Sequence, residues 1–133
     1  MNPFTREMRY DFKVDLGRTV DQFTGYLKSN GWKVQSSAQG DRAVVQAQKG
    51  GILRDIVAAE RALTFTLDQT SGKLVVKAGI GKWIQNIGVM ALEVILLSEL
   101  FLVVDVPEML WNEHVERTLL AKLEEIVRSS VKS

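Results

Sequence analysis

The stretch that most constrains this chain is Ile84 to Val104, IQNIGVMALEVILLSELFLVV, the longest apolar run in the sequence, with only two charges, Glu93 and Glu99. Whatever surrounds it must cover it or hand it to a partner. Its length matches the roughly 20 apolar residues of a membrane-spanning helix. Lys82 and Trp83 at one end and Trp111 beyond the other would suit interfacial anchoring. The two carboxylates argue otherwise, because each central charge costs about 2.5–3.5 kcal/mol on insertion. At about 100° per residue their spacing puts them about 120° apart, within one broad polar edge. That pattern describes a helix buried over most of its circumference, with a narrow wet margin. A buried or interface helix is therefore favoured over a membrane span.

The chain is 133 residues long, enough for one domain with its own core and no need of covalent staples. Its net charge of +1 gives no global attraction to nucleic acid or anionic lipid. Locally, Trp32, Lys33 and Arg42 are interleaved with Asp11, Asp15 and Asp41, which is not the basic face that phosphate contacts need. Cysteine is absent, which removes disulfides, thiolate metal sites and a cysteine nucleophile together. The N-terminus, MNPFTREMRYDF, has no apolar core of signal-peptide length. The expectation is a cytoplasmic protein, with association at a membrane surface as the variant.

Met8 to Leu16 alternates, with Met8, Tyr10, Phe12, Val14 and Leu16 on one side, as a half-buried strand does. Thr19 and Gln22 resemble a capping box, and Val20, Phe23, Tyr26 and Leu27 follow at helical spacing up to Asn30-Gly31. Trp32, Val34 and Ser36 open a second strand, closed by a turn over residues 37–41. Arg42 to Gln48 returns as a third. After the break at Lys49-Gly50-Gly51, Ile52 to Val57 suits a short amphipathic helix or covered loop. Ala62 to Leu67 forms a fourth strand, with Leu63, Phe65 and Leu67 facing in and Thr64 and Thr66 out. A fifth contains Leu74, Val76 and Ala78 and ends at Gly79-Ile80-Gly81. The apolar helix follows. Asp105 and Pro107 mark a new helix start, and Trp111, Val115, Leu119, Leu123 and Ile126 trace its stripe. Residues 129–133 are expected to fray.

The resulting order, β-α-β-β-β-β-α-α, implies an α+β fold in which an antiparallel five-stranded sheet has one face covered by helices. No linker divides it, so residues 1–133 form one domain, with the sheet and first helix in 6–81 and two helices in 82–129. The order resembles that of the TATA-binding and helix-grip proteins, a likeness of arrangement that carries no function. A second resemblance rests on QAQKGG, RALTFTL and GIGKW, followed by the apolar stretch and the DVPEMLW turn. These resemble the QAxKGG…ALTV…GxGKW pattern of a family of small uncharacterised prokaryotic α+β proteins. The likeness spans about residues 8–111 and implies no activity or cofactor. Some members carry a fully membrane-like stretch, from which Glu93 and Glu99 depart.

Few residues suggest chemistry. His114 is the only histidine and has no HExxH pattern or paired ligands, so no metal site is expected. Glu93 and Glu99, if buried, would have raised pKa values of the kind catalytic acids use. Pairing with Arg54 or Arg61, or a place at the helix margin, is the plainer reading. Gly79 to Trp83 lies where phosphate loops occur, but it lacks the GxxxxGK[ST] spacing; a strand-to-helix corner explains its glycines. With Lys49 and Arg54 it gives scattered basic, glycine-flanked spots suited to an anionic ligand or head group, with Lys82 and Trp83 as contacts.

The functional expectation is a non-catalytic module that binds a partner or ligand and self-associates through residues 84–104. Leu92, Leu96, Leu100 and Phe101 are its interface candidates, and an apolar ligand between sheet and helices is compatible with it. No cofactor is expected. The alternatives are a peripheral membrane protein and, behind it, an acid-base enzyme using Glu93 or Glu99.

Overall fold

A computed structural model describes residues 6–48, 61–87 and 113–131. Five strands form one antiparallel sheet: β1 (Arg6–Arg9), β2 (Lys33–Gln39), β3 (Arg42–Gln48), β4 (Arg61–Asp68) and β5 (Val75–Lys82). Their spatial order is β1-β5-β4-β3-β2. Helix α1 (Leu16–Ser29) joins β1 to β2, and helix α2 (Glu113–Ser129) ends the described chain. This is the α+β arrangement that the strand and helix periodicities imply.

Alternation divides the sheet cleanly. Register places Ala43, Leu67 and Val76 in one cross-strand rank and Val45, Phe65 and Ala78 in the next. These residues form a single core with Val20, Phe23 and Leu27 of α1 and Leu119, Leu123, Ile126 and Val127 of α2. Both described helices therefore lie on this face. Phe23 and Phe65 meet edge to face, with ring centroids 5.0 Å apart at 87°.

Local chemistry explains how α1 begins and ends. Asp15, in extended backbone, is its N-cap, and its Oδ1 accepts from the N–H of Arg18 at 3.1 Å. The helix thus starts ahead of the Thr19–Gln22 box; Thr19 instead donates its hydroxyl to the Asp15 carbonyl at 2.8 Å. At the other end the N–H of Gly31 reaches the Lys28 carbonyl and that of Trp32 the Leu27 carbonyl. This paired closure needs a left-handed residue, and Gly31 supplies it at φ +86.

Several boundaries differ from the periodicity reading. β1 ends at Arg9, and the alternating residues beyond it bend to follow the core, with Tyr10 and Phe12 still bonded to Leu74. β2 runs through Ser37 to Gln39, and only Gly40 and Asp41 turn; Gly40, at φ +59, takes the turn position that requires it. β5 continues through Gly79 and Gly81 to Lys82, paired with residues 61–64 of β4. The apolar helix does not start at Ile84, because Gln85 to Ile87 form a turn with Asn86 at φ +58. Residues 129–131 do not fray, and 132–133 lie outside the described residues: Ser130 is buried, Val131 bridges to Val14, and the Asp15 N–H donates to the Ser130 carbonyl at 3.0 Å.

The turn end of the sheet is closed by one amide. Gln69, 2% exposed, accepts from the Val14 N–H at 2.9 Å and donates to the Val14 carbonyl at 3.0 Å. Its Nε2 also lies 3.3 Å from the Asp41 carboxylate, which Lys13 approaches on its outer side.

Candidate functional site

The sheet's second face holds the arrangement that sequence reasoning missed. Thr64 and Thr66, expected to face water, are buried, as are Val44, Gln46 and Ala62. Register sets Gln35 of β2, Gln46 of β3, Thr64 of β4 and Gly79 of β5 in one rank across four strands. In the neighbouring rank Ala62 stands opposite Gly81. On this face β5 therefore presents no side chain at positions 79 and 81, and the chain leaves the sheet from there.

After Gly81 the chain passes over β4 and β3 to β2 as a strap. Gln46 Nε2 donates to the Lys82 carbonyl at 2.7 Å, and Gln46 Oε1 accepts from the Ile84 N–H at 2.9 Å. Gln35 Nε2 donates to the Ile84 carbonyl at 2.8 Å and to Gln46 Oε1 at 2.7 Å. Gln46 Nε2 also donates to Thr64 Oγ1 at 3.1 Å, and that hydroxyl donates to the Ala62 carbonyl at 3.2 Å. Gln46 has two donors and an oxygen with two lone pairs, and all four are used. Lys33 Nζ lies 4.9 Å from the Trp83 ring centroid, a cation–π contact that holds the strap's first turn against the start of β2. Ile87 is buried at the strap's far end.

An amide suits this role because one planar group both gives and takes hydrogen bonds. It can satisfy a passing backbone that has left the ladder, and unsatisfied buried backbone is costly. Chemically the row is closed. Its amides and hydroxyl bond one another and the strap, and it contains no nucleophile beside a base and no titratable group.

The candidate residues taken from sequence are only partly brought together. Lys82 is the last residue of β5 and exposed, while Trp83 is half-buried in the strap. Gly79 and Gly81 are paired strand residues without positive φ, so this stretch is neither a corner nor an anion-cradling loop. Arg61 begins β4 and His114 lies in the first turn of α2, the side chains of both outside the description. Lys49, Arg54, Glu93, Glu99, Leu92, Leu96, Leu100 and Phe101 lie outside the described residues. Among the described residues no three of His, Cys, Asp and Glu gather as metal ligands would.

Charges elsewhere pair at the surface: Arg42 with Asp68 at 3.6 Å, Lys73 with Asp11 at 3.5 Å and Arg128 with Glu124 at 3.3 Å. Exposed pairs of this kind contribute about 0–1 kcal/mol each. Tyr10 is ionisable and buried. Burial raises its pKa above 10.0, the Glu124 carboxylate adds to the rise, and Arg128, 5.7 Å from the ring, opposes it. A raised native pKa makes the unfolded state the easier one to deprotonate. Stability associated with Tyr10 should be intact below pH 10.0 and fall as pH rises beyond it through the native pKa. Urea titrations across that range, with Tyr10→Phe for comparison, check this. The variant should lose less stability as pH rises, and equal losses would disprove the assignment.

The signal for the second face was present in part. Val44 shares the side of Gln46, and Ala62, Gly79 and Gly81 are all small, which is odd for a face open to water. Comparison with protein families, with curated proteins and with solved structures finds no match to this chain.

Proposed function

We propose that this chain is a non-catalytic interaction module that self-associates through residues 84–104. The observation that carries the reading is the clasp at Gln35 and Gln46, which fixes Ile84 on the sheet's second face by backbone bonds in both directions. A very apolar stretch thus departs from a rigid point instead of trailing from a loose end. The polar groups around that point are used up internally, which supports a scaffold over a reaction site. Among the described residues no helix is long and apolar enough to cross a membrane.

Light scattering on the full, detergent-free chain is the test. A discrete oligomer is expected, and Leu96→Glu or Phe101→Glu should lower its mass without loss of secondary structure by circular dichroism. Oligomers indifferent to both changes, or a well-behaved monomer at all concentrations, would overturn the reading. A membrane-surface role is distinguished by flotation with neutral and anionic vesicles, where this reading expects the protein to stay with the soluble fraction.

A further inference from the structure

β2 is an outer strand whose one ladder partner among the described residues is β3. The two-residue turn at Gly40-Asp41 makes Gln39 and Arg42 a hydrogen-bonded pair. Alternation then turns the N–H and C=O groups of Gln39, Ser37, Gln35 and Lys33 toward β3. The next ladder has the matching parity, since the Gln69 N–H donates to the Asp41 carbonyl at 2.9 Å. Val34, Ser36 and Ala38 therefore present their backbone groups outward.

Outer strands are normally protected by proline, bulges or charges. β2 has no proline, pairs with β3 through seven uninterrupted register positions, and carries one charge, Lys33, at its start. We propose that this edge is an interaction surface for a second copy of the chain, β2 pairing antiparallel with β2 about an axis at Ser36.

The edge is self-complementary in the way a two-fold contact requires. Centred on Ser36, Val34 faces Ala38 of the second copy and each outward N–H finds a C=O, so both rows of backbone groups are satisfied. No like charges meet. Lys33 is set against Gln39 of the second copy, one diagonal step from its Asp41, which is opposite in sign. The layer above also fits. α1 packs on both β2 and β3, so with strands about 4.8 Å apart two copies of α1 would lie about 10 Å from each other, a usual helix-packing distance. Lys122 over Tyr26 marks the side of α1 that faces α2. At about 100° per residue the opposite flank carries Gly17, Asp21, Thr24 and Lys28, mostly short and with both signs of charge. Among the described residues this flank of α1 carries no aromatic or large aliphatic side chain.

This surface does not depend on residues 84–104, and the test separates the two. Amide hydrogen exchange on the full chain reads the edge directly. Protection at Val34, Ser36 and Ala38 should rise with protein concentration, and it should persist in Leu96→Glu. Ser36→Pro removes only an outward N–H, which outer strands tolerate, and should abolish protection at Val34 and Ala38. Ser36→Lys and Ser36→Glu should each halve the mass seen by light scattering, whereas a mixture of the two should restore it. If Ser36→Pro fails to fold, the charge-swapped mixture still decides. Concentration-independent exchange at Val34 and Ala38, or a mixture no heavier than its components, overturns the proposal.

Discussion

Gln46→Leu is expected to destabilise the protein by about 3 kcal/mol, although the volume change is small. The side chain is fully buried and bonds the Lys82 carbonyl and the Ile84 N–H. Leucine leaves two part-buried backbone groups of the strap unpaired, at about 1–3 kcal/mol each. Release of the strap toward water limits the loss, so exchange at the Ile84 amide should accelerate more than the global stability falls. Gln46→Glu sharpens the experiment. It keeps the shape but replaces the Nε2 donor with an acceptor facing the Lys82 carbonyl, 2.7 Å away in the native clasp. A carboxyl there favours its neutral form, so its native pKa is raised. Stability should accordingly be recovered as pH falls and the group takes up a proton, while Gln46→Leu shows no such recovery. A loss below about 1 kcal/mol for Gln46→Leu by urea unfolding would mean the strap is not clasped as described.

The clasp also shows where the sequence stopped being legible. Strand count, strand order along the chain, the first helix and the helix-facing core could be read from period-two and period-3.6 patterns, because those residues meet one apolar face. The second face could not. Thr64 and Thr66 alternate with Leu63, Phe65 and Leu67 as solvent-facing residues do, and a threonine under a crossing strap has the same spelling as one under water. Burial there depends on where residues 82–87 go, a long-range matter that local periodicity does not contain. Residues of β3, β4 and β5, separate in sequence, meet at this one place. Gln46, Thr64 and the Lys82 carbonyl form a continuous bonded chain.

Boundaries failed for a different reason, competition between nearby signals. Asp15 and Thr19 are both good N-caps, and the winner is the one whose side chain reaches the Arg18 N–H while its chain remains tied to Ser130. Gly79 and Gly81 looked like punctuation because glycine usually marks a break. In β5 they retain extended pairing and contribute by having no side chain on the face the strap uses. The membrane question raised by residues 84–104 was likewise beyond composition alone. What can be added is that the stretch begins in a turn anchored to the sheet, with Ile87 already buried.

Phe23→Ala should be among the most damaging core changes, at about 3–5 kcal/mol. Phe23 is fully buried in the middle of α1 and Phe65 is 2% exposed on β4, and their rings meet edge to face at 5.0 Å. The contact bridges the two layers of the fold, so the cavity left by alanine lies between helix and sheet where neither can close it alone. Small domains are stable by only about 5–15 kcal/mol in total, which puts the variant near the threshold of folding at ambient temperature. Phe23→Leu keeps much of the buried apolar area and should lose less. The difference between the two isolates the cavity, and a double-mutant cycle of Phe23→Leu with Phe65→Leu isolates the ring pair, worth about 0.5–1.5 kcal/mol beyond its area. Guanidinium unfolding supplies all these values, with an unchanged slope showing that the native and denatured states remain comparable. A loss under about 1 kcal/mol for Phe23→Ala would place α1 elsewhere than on this sheet, because no residue so enclosed can be truncated that cheaply.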